Sequence, residues 1–244
     1  MMTKTHRIII GGFMLSFLQG ILLANPFTDE VDHAQVDENA LQRAREQLDD
    51  PRAEPLEKPL FVPPFHQRSA PDETPATLCH DCHDLAPHHR SARKRAFLNM
   101  HSRQVACETC HWRPREQPRE YRRVQLPGMK SGEKIIAPLV AGQPVLTLAE
   151  DPWARRLAQD WEQADKEERV KIKARLHQPL EEKGPDCTAC HDEQDSMLDW
   201  RNLGYEEGRI RELQGNPTAH FLQRTEPESP DDPVVRIHLR DLLE

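Results

Sequence analysis

Hydrophobic side chains fall into a few short patterned segments that polar and proline-rich stretches separate. Residues 8–24 form one mostly apolar run without a charged side chain. Apolar residues recur at helical spacing over 37–50, and again at i, i+4 and i+8 from Trp153. The stretch 135–148 is apolar, rich in β-branched residues and interrupted by proline and glycine. These patterns predict a mainly α chain with extensive loops and one short β-hairpin at 135–148.

Side chains that favour helix N-termini sharpen this prediction at three positions: Asp151, Asp165 and Asn216. Asp151 and Asn216 are each followed by a proline, which is favoured as the first helical residue. Asp165 has a glutamate three residues later, the spacing of a capping box. The second of these helices is expected to end near His177 and the third to carry His220.

The N-terminal run has the layout of a secretory signal. Lys4 and Arg7 precede it, and Ala24 ends it before a polar segment. Cleavage after Ala24 is the favoured interpretation. The alternative is an uncleaved anchor through residues 8–24, because a helix of about 17 residues is the shortest that spans a bilayer. In both cases the rest of the chain is predicted to be exported to the periplasm or the extracellular space.

Composition excludes some classes of function for this protein. The chain has 244 residues, of which 36 % are hydrophobic, and its formal net charge is −8. Its mean hydropathy of −0.80 excludes a polytopic membrane protein. The acidic balance argues against nucleic-acid binding, which needs a clustered basic surface. A chain this polar needs something besides an apolar core to organise it.

All six cysteines occur in three C-x-x-C pairs: Cys79 and Cys82, Cys107 and Cys110, Cys187 and Cys190. Disulfides are one interpretation in an exported protein, and a four-thiolate zinc site is another. Neither requires the residue that follows each pair, which is His83, His111 and His191 in turn. Covalent haem does require it, since two thioethers tether the porphyrin and the adjacent imidazole becomes an axial ligand. The motifs therefore predict three covalently attached haem c groups.

With these three motifs the chain resembles the multihaem c-type cytochromes, specifically a trihaem member. The resemblance covers roughly residues 60–222. It implies a small architecture that the haems organise, an iron in each haem, and transfer of single electrons. It also implies that each iron takes a second, distal ligand, which is histidine in most small members.

The motifs divide the chain into five segments. Residues 1–24 are the signal or anchor, and 25–65 are an acidic and then proline-rich extended arm. A dihaem module at 66–126 contains the first two motifs, because these motifs start only 28 residues apart, which is too little for independent domains. The third haem belongs to 127–222, and 223–244 are a C-terminal tail.

The candidate distal ligands are the histidines nearest upstream of the motifs: His66, His101 and His177. By the same resemblance, a histidine only a few residues before a motif serves a neighbouring haem, which assigns His101 to the first haem. His177 is expected to loop back onto its own, third haem, with His220 as the alternative.

The second haem is left with His66 or with one of the adjacent pair His88 and His89. His80 lies between two cysteines, where the side chain is turned away from the iron, so it is interpreted as a surface residue. Three methionines offer thioether ligands instead: Met100, Met129 and Met197.

Basic residues surround the second motif: Arg90, Arg93, Lys94, Arg95, Arg113, Arg115, Arg119, Arg122 and Arg123. They suit pairing with haem propionates, and alternatively docking of an acidic redox partner.

The function expected from these features is electron transfer between redox proteins in a respiratory or extracellular chain. No catalytic residue is predicted. One alternative is a haem enzyme with an open iron site that acts on a small nitrogen, sulfur or oxygen compound. Another is an obligate subunit of a larger membrane or outer-surface redox complex.

Overall fold

The computed structural model describes residues 25–50, 77–83, 87–88, 92–113 and 119–224. Its helices are α1 (Pro26–Asp32), α2 (Glu38–Asp49), α3 (Ala92–His101), α4 (Cys107–His111), α5 (Pro152–Gln163), α6 (Lys166–His177), α7 (Cys187–His191), α8 (Glu207–Gln214) and α9 (Pro217–Arg224). A 3₁₀ turn spans Leu78–Asp81, and the strands are β1 (Glu120–Val124), β2 (Ile135–Val140) and β3 (Gln143–Pro144). The described chain is therefore mainly α with a small sheet, as predicted.

The three strands form an antiparallel sheet in the order β1-β2-β3. The hairpin expected at 135–148 is present as β2 and β3. Ala141 and Gly142 join them with φ angles of 49° and 79°, and two successive positive values give the tight turn that suits a twisted hairpin. β1 was not predicted, because its sequence is mostly charged and it exists through pairing with β2.

The predicted helix starts are confirmed. The side chains of Asp151, Asp165 and Asn216 each accept a hydrogen bond from a backbone N–H of the first turn, at 2.7, 2.9 and 3.1 Å. Asp37 does the same at the start of α2, at 2.7 Å. Such caps are local interactions, which is why the sequence alone predicts them.

Residues 25–50 form two helices, and the second lies where the apolar spacing over 37–50 predicts one. α1 places Phe27 and Val31 in an apolar cluster with residues of α5 and α6, and α2 packs Ala40 and Ala44 against α6. The side chain of Asn25 joins α1 to the hairpin by donating to the Leu146 carbonyl at 3.1 Å. The signal or anchor segment 1–24, the proline-rich stretch 51–75 and most of the predicted tail lie outside the described residues.

Apolar side chains in the described ranges form four separate clusters. One lies between α1, α5 and α6 and includes the fully buried Trp112. A second lies against the sheet, a third surrounds Trp200, and the fourth joins α2 to α6. Across these same ranges, no helix combines the length and apolar character needed to cross a bilayer.

Candidate functional site

Each C-x-x-C-H motif folds as a single helical turn. The second and third motifs are the helices α4 and α7, and the first overlaps the 3₁₀ turn. In the first motif the His83 N–H donates to the Cys79 carbonyl at 2.9 Å, a helical i to i−4 bond. Residues three and four apart share one face of a helical turn, so each motif presents its two sulfurs and its imidazole together.

The first two motifs are attached to the hairpin. The Leu78 N–H donates to the Thr147 carbonyl at 3.0 Å. Before α4, the Ala106 N–H donates to the Ile136 carbonyl at 2.8 Å, and the buried Thr109 hydroxyl donates to the same oxygen at 3.0 Å. The sheet therefore positions both motifs relative to each other.

The third motif is held by side chains from later in the chain. Gln223 of α9 accepts from the Cys187 N–H at 3.0 Å and so caps the start of α7. Trp200 donates its indole N–H to the Cys190 carbonyl at 3.2 Å, and its ring lies 6.3 Å from that of His191. No local pattern in the sequence marks Gln223 or Trp200 for these contacts.

A second histidine faces the histidine of every motif. The ring centroids are 6.1 Å apart in the first pair, 6.3 Å in the middle pair and 6.1 Å in the third pair. The pairs are His83 with His177, His111 with His88, and His191 with His101. An imidazole nitrogen binds a metal at about 2 Å, so two imidazoles on opposite sides of one metal have centroids roughly 6 Å apart. The observed separations have this size.

The number of ligands in each pair suits iron in a porphyrin. No group of three or more histidine, cysteine, aspartate or glutamate side chains gathers around a point within the described chain. A porphyrin supplies four nitrogens in a plane and leaves two axial positions, which a pair of facing imidazoles fills. Each pair includes the histidine that directly follows two cysteines of the same motif.

Hydrogen bonds orient the distal rings at the ends of helices. The Nδ1 atom of His101 donates to the Phe97 carbonyl at 2.7 Å, and that of His177 donates to the Lys173 carbonyl at 2.8 Å. A carbonyl only accepts, so the proton is on Nδ1 and the lone pair is on Nε2. Metal-binding histidines are oriented in this way by a bond to the other ring nitrogen.

The motif histidines of the middle and third pairs show the same pattern. The Nδ1 atom of His111 donates to the Glu181 carbonyl at 2.8 Å, and that of His191 donates to the Leu213 carbonyl at 2.6 Å. Burial lowers the pKa of His177 to about 4, and burial also lowers the pKa of His191. Both rings are therefore neutral near pH 7, the form that binds a metal.

The sulfurs of Cys110 and Cys190 lie in surroundings that disfavour a thiolate. Burial raises the pKa of Cys110 to about 11 and that of Cys190 to about 12. A cysteine that acts as a nucleophile needs the opposite shift. None of the six cysteines forms a disulfide.

The three motifs are neighbours in space. A hydrogen bond between the thiols of Cys79 and Cys107 raises the pKa of the first and lowers that of the second. After burial, the largest influence that raises the pKa of Cys190 is Cys110. The first motif thus adjoins the second, and the second adjoins the third.

The pairing differs from the one expected. His101 faces the third motif instead of the first, and His177 faces the first instead of the third. The reason is the course of the chain after α6. Leu180 bridges to Trp112, and the Glu181 N–H donates to the His111 carbonyl at 2.8 Å, so this segment is tied to the second motif before it reaches the third.

The remaining predicted histidines are placed as follows. His88, one of the alternatives for the second haem, faces His111, whereas His66 and His89 lie outside the described residues. His220 is near the third motif, where its Nε2 lies 3.3 Å from the Gln214 carbonyl. The Nδ1 atom of His80 lies 3.1 Å from the Thr77 hydroxyl.

The methionines and arginines have other contacts. Met100 is 44 % exposed, the Met129 sulfur accepts from the Leu126 N–H at 3.3 Å, and Met197 packs in the cluster around Trp200. Two arginines of the basic set bind main-chain oxygens in the second motif or directly after it. Arg113 donates to the carbonyls of Thr109 and Trp112, and Arg119 also donates to Trp112. Arg122 pairs with Glu120, Arg123 stacks over Tyr205, and the placements of Arg90, Arg93, Lys94, Arg95 and Arg115 are not described.

Comparison with known proteins adds no relative. No family model matches the chain, and no curated protein or solved structure does so either. Only the motifs and the paired histidines therefore bear on function.

Proposed function

We propose that the protein is an exported trihaem c-type cytochrome that carries single electrons between redox protein partners. Each motif binds one haem c through two thioethers and its histidine, and the facing histidine is the distal ligand. The observation that carries this proposal is the set of three facing imidazole pairs, one at every motif and each about 6 Å across.

The residues of this chain suit a carrier. Haem supplies an iron that gains and loses one electron, and the protein holds it in place. Because both axial positions have a histidine at all three motifs, small substrates have no free iron site. The Nδ1 hydrogen bonds keep the rings in place in both oxidation states, which limits reorganisation during electron transfer.

Contacts between motifs support transfer within the molecule. Cys79 touches Cys107, and Cys110 lies near Cys190, so the three haem sites form a continuous series. Electrons enter and leave through redox proteins that dock on the surface. The apolar side chains form four small clusters instead of one core, and the haems add contacts that organise the fold.

The test uses the protein purified from its host with its cofactors. Intact mass and haem staining on a denaturing gel should show three covalent haems, and absorbance and EPR spectra should show only low-spin iron. Carbon monoxide should not bind the reduced protein. Fewer than three haems, or zinc in place of haem, contradicts the proposal. One ligand-accessible haem that turns over a small nitrogen, sulfur or oxygen compound contradicts the carrier role and favours the enzyme.

Export is the second part of the proposal. The first described helix begins directly after the predicted cleavage site, with Asn25 as its N-cap. N-terminal sequencing of the native protein should begin at Asn25, and the protein should be recovered from the periplasm or the medium. A retained Met1 with extraction only by detergent supports the membrane-anchored form instead.

A further inference from the structure

Asn99 is a buried polar residue in α3 whose side chain hydrogen-bonds to one histidine. Its Oδ1 accepts from the His88 backbone N–H and from His88 Nδ1, both at 3.0 Å. Its Nδ2 donates to the His88 carbonyl at 3.1 Å. An asparagine side chain can make about four hydrogen bonds, and three of them go to this residue.

His88, unlike His101 and His177, is not part of a helix of the described chain. The distal rings of the first and third pairs, His177 and His101, bond to carbonyls of their own helices. His88 lies in a loop, where its backbone has no regular hydrogen-bonding pattern. Asn99 binds both its backbone and its ring, and so determines where the ring is and how it is turned.

The middle pair also differs in ring orientation. The planes of His88 and His111 are 17° apart, whereas those of the first and third pairs are 73° and 67° apart. In low-spin ferric iron the unpaired electron occupies a d orbital that overlaps with the π orbitals of the axial imidazoles. Two d orbitals have this overlap. Parallel rings interact with one of them and separate the two in energy, whereas crossed rings interact with both alike and leave their energies similar. The two arrangements therefore give different EPR spectra.

We propose that Asn99 is a positioning residue that holds the His88 ring nearly parallel to His111 and thereby makes the middle haem spectroscopically distinct. The proposal rests on the proposed function, since it requires an iron between the two rings. Asn99 lies two residues before His101, so α3 serves the middle and third sites together.

The experiment is EPR spectroscopy of the oxidised holoprotein. Wild type should show one rhombic low-spin signal, from the near-parallel pair, and two highly anisotropic signals with a single large g value. Asn99→Ala removes all three hydrogen bonds to His88. It should shift or broaden the rhombic signal and leave the other two unchanged, which makes them internal controls.

Two further variants separate positioning from general damage to the fold. Asn99→Asp keeps both acceptor bonds, so the rhombic signal should persist. The negative charge of the aspartate lies beside the Nδ1 proton and makes His88 a stronger electron donor to the iron. The reduction potential of one haem should therefore fall. Leu98→Ala, at a neighbouring and partly exposed position, should change neither the signals nor the potentials.

Each outcome bears on one proposal. Fewer than three haems overturns the cytochrome assignment itself. Three low-spin haems without a rhombic signal, or a rhombic signal that Asn99→Ala leaves intact, overturns the role of Asn99 alone. If Asn99→Ala does not fold, Asn99→Asp decides: a persistent rhombic signal with one lowered potential supports the role, and unchanged potentials overturn it.

Discussion

The outer and middle histidine pairs are built in different ways. In the first and third pairs the distal histidine is the last residue of a helix, and its ring bonds to the carbonyl four residues earlier. In the middle pair it lies in a loop and depends on a side chain eleven residues away. In an outer pair the histidine that faces the motif is therefore positioned by its own helix, whereas in the middle pair it is positioned by a tertiary contact.

The histidine pairs also differ in the helices on which they depend. α6 is buried through Val170 and Ala174, so its packing on α2 sets the position of His177. α3 carries both Asn99 and His101, and a displacement of this helix therefore affects the middle and third sites at once. The first pair, His83 with His177, contains no residue of α3.

The largest effect should come from removing a distal histidine. His177→Ala, His101→Ala and His88→Ala should each leave three covalent haems, because the thioethers do not involve the distal side. Each should convert one haem to a high-spin form that binds one carbon monoxide per protein when reduced. Absorbance titration measures this directly.

The matched control is His33→Ala. His33 bonds through Nδ1 to the Asp29 carbonyl at 2.8 Å, but its side chain is 77 % exposed. Its spectra should equal those of wild type. If His177→Ala and His101→Ala are both spectrally silent, the outer pairs are not ligand pairs. If only His88→Ala is silent, the middle haem takes another ligand, with His66 and His89 the first to test.

Local signals in the sequence predict the positions of His101 and His177 better than that of His88, although they do not predict which motif each histidine faces. Asp165 and the apolar spacing after it predict α6 and leave His177 at its end. By contrast, nothing near His88 distinguishes it from His89, because its selection depends on Asn99. Which motif each distal histidine faces also depends on a long-range contact, the bridge between Leu180 and Trp112.

The sheet follows the same rule. The turn at Gly142 and the apolar residues around it predict β2 and β3. β1 has no apolar pattern of its own and forms because β2 offers an edge for pairing. The motifs identify the cysteines and their adjacent histidines from the sequence. Long-range hydrogen bonds determine which side chains face these residues.

A smaller effect is expected at the third motif, where a side chain caps the motif helix. Gln223→Ala leaves the Cys187 N–H without its acceptor and should lower the free energy of unfolding by about 1 kcal/mol. Gln223→Glu keeps an acceptor and should retain most of the stability. Urea unfolding monitored by absorbance measures both variants.

Gln163→Ala, at the exposed end of α5, is the control for loss of a glutamine side chain. The first motif offers no equivalent variant, because its turn is held by the main chain of Thr147. Equal stability of Gln223→Ala and Gln163→Ala contradicts the capping role.

The smallest effect should be a change in pH dependence at the second motif. The residue after the first cysteine is Glu108 there, and His80 and Thr188 in the other two motifs. Glu108 is 3 % exposed, and burial raises the pKa of its carboxyl. Because the folded protein then holds this proton more tightly than the unfolded chain, stability is greatest below the ordinary glutamate pKa and falls as the pH rises through the raised one. Glu108→Gln should remove this loss, so the variant's melting temperature relative to wild type should increase from pH 4 to pH 8. A difference that stays constant over that range contradicts a raised pKa at Glu108.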